Sequence, residues 1–461
     1  VIKQVLFALG LLLTLSSSAQ RDKTTFNRLL KESQTRDYTG PRPSLSEESK
    51  VKVSNLAPEH ELDSIYKKDQ YTSAKLHPAD SNTIHIGLVL PFDETATAWK
   101  IYGYLNDKDP QKCDAYKLKE ASKEALDFYQ GLQYALSTRP SNQKLEFFLF
   151  DTHNNDSVVQ DLLHNDTLGM CDIIIGPTTA SQAKFIAGYC KRNKIVNIQP
   201  FVASKSFSME NPYLVRLMPT IDAHLQQIYE MVTDSFQDNN IILYTTKRER
   251  DLTAARTLDT LFKSYNQFNT HKLKYTFVNS GDSTLPVAKR SYTAHLSETQ
   301  NNVLIMTCYD EALVNTTLRG IKEKENLTVF GMPTWIDADQ IRPDYLNKAM
   351  PYFTEPFYAD TAQTKVLDFI HDYAAANGQK PSPNCYMGYD AMNYLSLIFD
   401  KYGKAVIDGV NKESYEGMGY SFHISPSIKA ARGSGEPVVN YYSNTAMHLF
   451  QVRDYRVWKI K

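Results

Sequence analysis

Two α/β lobes, each built on a doubly wound parallel sheet, are predicted by three features of the 461-residue sequence. Short apolar runs such as Ile173-Ile174-Ile175 suit parallel strands buried on both faces rather than half-exposed antiparallel ones. Between these runs lie segments whose apolar residues recur at helical spacing, so strand and helix alternate. The alternation runs to Thr220 and then restarts, and each run has roughly the length of one domain.

The first lobe opens at Ile84, where IHIGLVLPF reads as a buried strand ended by Pro91-Phe92. A polar excursion with Trp99 and Tyr104 precedes a helix in which Ala121, Ala125, Phe128, Leu132 and Leu136 keep helical spacing. The strand KLEFFLFD and a helix at about Ser157 to Leu168 follow. Cys171 to Phe201 then forms one strand-turn-helix-strand unit. Gly176-Pro177 ends the Ile strand, and Thr178 and Thr179 stand where a helix cap belongs. Lys191 and Arg192 oppose the dipole in the last turn, and Ile195, Val196 and Ile198 carry the chain back into the sheet. Such a crossover is right-handed in nearly all cases. YLVRLMPT, Tyr213 to Thr220, closes the run.

The second run takes helix Ile221 to Phe236, strand NIILYTT, helix Leu252 to Tyr265, strand KLKYTFV and a short helix near Tyr292 to Glu298. Strand NVLIMTC, helix Glu311 to Lys324 and strand NLTVFGMP complete it. After Trp335 come strand YFTEPFYAD and the helices Thr361 to Ala376 and Asn384 to Tyr402. The β-rich segments YEGMGYSFHI, VVNYYSNTAMHLFQV and YRVWKI end the chain. The expected division is lobe 1 at 84–220 plus about 350–405, and lobe 2 at 221–349 plus about 406–461.

Ahead of the lobes, VIKQVLFALGLLLTLSSSAQ has one early positive charge, an apolar run and small residues before Gln20. This is the layout of an export signal over residues 1–19, with no Cys after it to take a lipid. The apolar run is shorter than the ~20 residues that span a bilayer. Residues 20–83 are rich in Ser, Lys, Glu, Asp and Pro, the composition of a disordered leader. The chain is therefore expected in the periplasm, with no membrane insertion of the mature form. With 51 basic against 52 acidic residues no global field favours nucleic acid, and no nucleic-acid partner is expected. Five widely spaced Cys form no CxxC pair or metal-ligand pattern, and buried free thiols are the better reading of them.

In sheets of this class the ligand crevice lies beyond the carboxyl ends of the strands, which points to Thr178 to Ser181 and to Phe201 to Ser204. Hydroxyls at such turns also cap their own helix, so Thr178, Thr179 and Ser181 carry both readings. Asp151, His153 and Asp156 lack calcium-loop spacing and read as an Asx-rich turn. Trp335 stacks on a ligand or packs in a core. No GxSxG, HExxH or Walker loop occurs, and no enzyme, catalytic residue, metal or cofactor is expected.

The ordered set IHIGLVLPF, CDIIIGPTTASQAKFIA, KIVNIQPFVASKSF, NPYLVRLMPT, GYDAMNYLSLIFDKYG and YEGMGYSFHI resembles the type I periplasmic binding proteins, the fold of the leucine/isoleucine/valine-binding proteins of ABC importers. LDFYQG, FLFDTHNND, VFGMPTWID and NCYMGYDAMNYL look like a Bacteroidota branch of that family, amino-acid ABC transporter substrate-binding proteins. The resemblance covers about Thr83 to Lys461 and implies two lobes joined by three crossovers, with a central cleft. By position it implies that Thr178, Thr179 and Ser181, with Phe201, Ala203 and Ser204, hold the carboxylate of a ligand. Phe92, Tyr309 and Trp335 complete the expected site.

Two departures stand out. Importers have an aromatic-Gly turn after the first strand of the second lobe, where this chain has Thr245-Thr246-Lys247-Arg248-Glu249-Arg250. The acidic residue expected after NVLIMTC to hold an ammonium is displaced, with Cys308 and Tyr309 there and Asp310 one step later. The expected function is a solute-binding protein that takes a small polar ligand, an amino acid or related anion, with an ABC permease as partner. The alternative is a ligand-free envelope scaffold that binds another protein, for example in peptidoglycan synthesis.

Overall fold

The structure is a computed structural model that describes residues 83–98, 100, 117–138, 142–207, 210–281, 291–321, 326–336, 338–429 and 438–460. The expected export signal and leader lie outside these residues except for Thr83, which opens the first strand. Trp99, Tyr104 and Cys113 also lie outside them.

In chain order the elements are β1 (Thr83–Leu90), α1 (Glu120–Thr138), β2 (Lys144–Asp151), α2 (Asp156–Leu162), α3 (Asp166–Gly169), β3 (Ile173–Ile175), α4 (Ala180–Asn193), β4 (Val196–Gln199) and β5 (Leu214–Arg216). There follow α5 (Ile221–Ser235), β6 (Asn240–Thr245), α6 (Glu249–Phe268), β7 (Tyr275–Asn279), β8 (Asn302–Met306), α7 (Glu311–Gly320), β9 (Leu327–Phe330), α8 (Pro343–Ala349) and β10 (Tyr352–Glu355). The last part holds α9 (Thr364–Asn377), α10 (Pro383–Tyr402), β11 (Ser414–Glu416), β12 (Ser421–Lys429), β13 (Val438–Asn444), β14 (His448–Arg453) and β15 (Arg456–Lys459).

The chain forms two compact units, one running to Met218 and taking Ala359–Ser443, the other made of Pro219–Tyr358 and Asn444–Lys461. It passes from one unit to the other three times. The first unit holds a sheet of order β11-β12-β13-β5-β4-β3-β1-β2, in which β2, β1, β3, β4 and β5 pair parallel. The second holds β15-β14-β10-β9-β8-β6-β7, parallel from β7 through β10 with β14 and β15 added antiparallel. The α/β class and the parallel strands match the sequence reading. Residues 406–443, read from sequence with the second lobe, lie with the first unit, because β13 pairs parallel with β5 there. Residues 350–358 and β10 lie with the second unit. VVNYYSNTAMHLFQV is thus two strands in two sheets, a split that alternation alone does not signal.

The helix expected over Ser157 to Leu168 is two pieces. Asn155 caps α2 by accepting the Ser157 amide, and Asn165 starts α3 by accepting that of Thr167, each at 2.9 Å. In the first unit α1 and α10 cross at glycines: a Cβ at Gly131 would lie 2.0 Å from the Cys385 carbonyl, and one at Gly388 would lie 2.0 Å from that of Phe128. Phe128, Leu132, Tyr394 and Leu395 of these two helices are buried. On the face that meets α4, Val89, Ile174, Ile186 and Cys190 pack with Val159 and Leu168.

Candidate functional site

Phe92, Thr178 to Ser181 and Phe201 to Ser204 follow β1, β3 and β4, which are parallel neighbours, so the structure brings these sequence-predicted residues to one sheet edge. The turn after β3 holds a cis Gly176–Pro177 bond, and Gly176 has φ +103° with the Val89 carbonyl 2.4 Å from where a Cβ would stand. Only glycine fits so close an approach. α4 then begins. Thr179 caps it with extended backbone, its Oγ1 accepting the Gln182 amide at 3.3 Å. Ser181 is exposed and donates to the Asp156 carboxylate at the start of α2. Thr178 differs from both, because its Oγ1 is buried and has no hydrogen-bond partner among the described residues. Of the three hydroxyls, two are engaged by the protein and one has no partner among the described residues.

The loop after β4 is held from beneath. Phe201 is buried against Phe128, ring centroids 4.9 Å apart, and its amide donates to Gln199 Oε1 at 3.1 Å, as the Val202 amide does at 3.3 Å. The Phe201 and Val202 amides are therefore already bonded within the chain. Ala203 is exposed, and Ser204 Oγ meets Ser206 Oγ at 3.0 Å. Phe92 is 3% exposed and packs edge-on against Tyr129. Asp151 is fully committed next to it: it accepts the amides of Asp93 and His153 through Oδ1 and that of Glu94 through Oδ2. Lys119 beside Asp93 holds that carboxyl below its usual range.

In the second unit Tyr309 and Trp335 follow the neighbouring strands β8 and β9. Trp335 is 3% exposed, its indole N–H donates to the Cys308 carbonyl at 2.9 Å, and its ring occupies the space a Cβ at Gly331 would need. Tyr309 lies under the Arg250 guanidinium, 3.7 Å from the ring centroid. Arg248 pairs with Asp310 at 2.6 Å. Asp251, buried at the start of α6, accepts from Thr246 Oγ1 at 2.5 Å and from the Tyr309 amide at 3.2 Å, and burial raises its carboxyl above the ordinary range. The charged turn 247–250 is thus tied to Tyr309 and Asp310 by a cation-π contact and an ion pair. Asp310, the acidic residue nearest the position expected for an ammonium, already has a cation.

Sequence reasoning passed over Asp390, Gln199 and Arg216, all 0% exposed. The signal was present: Arg216 is the one charge inside YLVRLMPT, and Asp390 sits in the apolar helix segment GYDAMNYL. A lone charge inside an apolar run has to be paired or hydrogen-bonded. Among the described residues no group of three or more His, Cys, Asp or Glu side chains could hold a metal, and no helix is long and apolar enough to cross a membrane.

Residues 116–407, more than half of the chain, match the family model described as the receptor family ligand binding region, and the chain belongs to that family. Its fold is that of type I periplasmic binding proteins. Among solved structures it is similar to an ABC transporter substrate-binding protein from Desulfitobacterium hafniense in complex with Leu, at 13% identity and TM-score 0.52, over 82% of this chain and 100% of that one. It is also similar to a putative branched-chain amino acid ABC transporter from Rhodospirillum rubrum, at 12% identity and TM-score 0.55, with the same coverage. No curated protein matches the chain.

Proposed function

We propose that this chain is an exported solute-binding protein that holds a small polar ligand with a carboxylate or related anionic group and presents it to an ABC permease. The observation that carries this reading is the start of α4. A buried Thr178 hydroxyl without a protein partner among the described residues stands before a helix amino terminus, where unpaired amides and the dipole favour an anion. Two solved relatives of the same fold are described as an amino-acid complex and as a branched-chain amino acid transporter, which supports amino acids and related carboxylates as the first class to try. The Arg248–Asp310 pair favours ligands whose recognition does not rest on an ammonium, so carboxylates without an amino group belong beside the amino acids.

Thermal denaturation against amino acids, aromatic and aliphatic carboxylates, short peptides and nucleosides tests the reading. A ligand at a hundred times its Kd stabilises the folded form by about 2.7 kcal/mol. Absence of any such stabilisation across all four classes refutes it. The internal pairing of Asp310 and Tyr309 also supports a second reading, an envelope scaffold that has retired its ligand. That reading requires a stable protein partner in a pull-down from native envelope, and a monomer that responds to a carboxylate excludes it.

A further inference from the structure

Behind the β4 loop the first unit's sheet turns a polar surface toward α4. Residues in register on neighbouring strands share a face, as do alternate residues of one strand. Asn197 is in register with Ile174, and Gln199 with Arg216. All four therefore stand on the face where Ile174 packs with Ile186 and Cys190 of α4. Gln199 and Arg216 are each 0% exposed there.

Gln199 Oε1 and Arg216 Nη2 both go to one short stretch of backbone, while Gln199 Nε2 is buried without a hydrogen-bond partner among the described residues. Gln199 Oε1 accepts the amides of Phe201 and Val202, at 3.1 and 3.3 Å. Two donors on one oxygen fix which end of the carboxamide faces the loop, since the amine end cannot accept. Arg216 Nη2 donates to the carbonyls of Val202 at 2.9 Å and Ser204 at 2.5 Å. The guanidinium lies over two rings, 5.0 Å from the centroid of Phe207 and 5.8 Å from that of Tyr441. Adjacent strands thus grip the same loop in complementary ways, β4 through its N–H groups and β5 through its C=O groups. Ala203, between the gripped peptides, is the exposed residue.

We infer that Gln199 and Arg216 are positioning residues of the ligand edge. They fix the backbone of Phe201 to Ser204 from inside the fold, so that the Ala203 and Ser204 positions are presented in one conformation before a ligand arrives. This rests on the binding reading above. Phe201 and Val202 are buried, so their backbone groups need partners inside the fold, and the buried guanidinium and carboxamide oxygen, costly unless hydrogen-bonded, supply them. What the buried arrangement adds is a fixed geometry, as supporting hydrogen bonds do for binding groups generally.

The test has two arms on the full chain. In the ligand-free arm, hydrogen exchange is followed at peptides covering 200–207, with the β3 and β5 peptides as internal reference. Gln199→Leu removes the acceptor, and exchange at 200–207 should rise by about tenfold, the scale of one lost hydrogen bond. The reference strands should be unchanged, and Gln199→Glu, which keeps the acceptor, should restore protection. Arg216→Lys gives the same reading if Gln199→Leu does not fold, because an ammonium keeps the charge and loses the planar fork. Unchanged protection at 200–207, or an equal rise at the reference strands, overturns the inference. In the second arm, L-leucine and benzoate are titrated calorimetrically. Affinity for whichever binds should fall by about tenfold or more in Gln199→Leu, with recovery in Gln199→Glu. Equal affinity in the two variants overturns the role at the ligand edge. Failure of both compounds to bind the parent chain counts against the binding reading, while the exchange arm still decides whether the two side chains hold the loop.

Discussion

Asp390→Asn separates a structural carboxylate from a bystander. Asp390 is 0% exposed on α10 and accepts three backbone amides from the segment before β12, those of Met418 at 2.8 Å, Gly419 at 2.9 Å and Tyr420 at 2.8 Å. Gly417 is required beside it, since a Cβ there would lie 2.4 Å from the carboxyl carbon. Asparagine keeps one acceptor oxygen and turns an amine toward a backbone N–H, leaving at least one buried donor unmet at a cost of about 1–3 kcal/mol. For a unit of this size, ~2 kcal/mol lowers Tm by roughly 4–8 °C. Burial pushes the Asp390 carboxyl up to about 6 from an ordinary 3.8, against the pull of its amide donors. The folded state therefore binds the proton more tightly than the unfolded one. The stability this group contributes is full below pH ~4 and is lost as pH rises through about 6, a total of about 3 kcal/mol at roughly 1.4 kcal/mol per pH unit. Urea unfolding of parent and variant across pH 4–7 reads both effects. The parent's advantage over Asp390→Asn should shrink as pH rises through that window. A variant as stable as the parent at every pH, or a gap that widens with pH, refutes the reasoning.

Gly388→Ala places a Cβ 2.0 Å from the Phe128 carbonyl, and forcing α1 and α10 apart should cost about 1–3 kcal/mol or more in urea unfolding, with Gly320→Ala, where a Cβ meets nothing, as a neutral control. Trp335→Phe removes the indole donor to the Cys308 carbonyl and should lower stability by about 1–3 kcal/mol while leaving ligand affinity unchanged, as calorimetry would show; a changed affinity would return Trp335 to the ligand site. Cys171, Cys190, Cys308 and Cys385 are buried free thiols, and burial pushes Cys171 up to about 12 and raises the other three. Iodoacetamide at pH 8 should leave all four unmodified in the folded protein and alkylate them in urea, read by peptide mass spectrometry.

The central strands were legible because burial on both faces forces a continuous apolar run. IHIGLVL, CDIII and NIILYT became β1, β3 and β6 within a residue or two at each end. Helix starts were legible for a similarly local reason. Thr179 begins α4 as a cap, and α10, expected from Asn384, begins one residue earlier at Pro383, where Ser382 accepts the Cys385 amide. The lobe assignment after residue 350 was not legible. Which sheet a late strand joins depends on pairing partners far away in sequence, Val215 for Tyr442 in β13 and Phe353 for Phe450 in β14, and the alternation of either strand reads the same in both sheets.

The candidate site divides along the same line. Thr179 and Ser181 were legible as hydroxyls at a helix start, and the choice between cap and ligand contact was not, because it turns on whether Gln182 and Asp156 are near enough to bond them. The structure engages both within the chain and leaves Thr178 Oγ1 without a partner among the described residues. A ligand group at this edge would therefore meet Thr178 without displacing a bond, whereas at Thr179 it would compete with the cap, worth about 1 kcal/mol to the helix. Thr178→Val, which keeps the shape and removes the hydroxyl, should then weaken binding of a responsive carboxylate by about 0.5–1.5 kcal/mol with Tm unchanged or raised, since a buried unpaired hydroxyl is relieved. Thr179→Ala should lower Tm and leave affinity nearly unchanged. Calorimetry and melting on the two single variants distinguish the roles, and the opposite pattern, with affinity lost at Thr179 and kept at Thr178, would reassign the ligand contact to the cap residue.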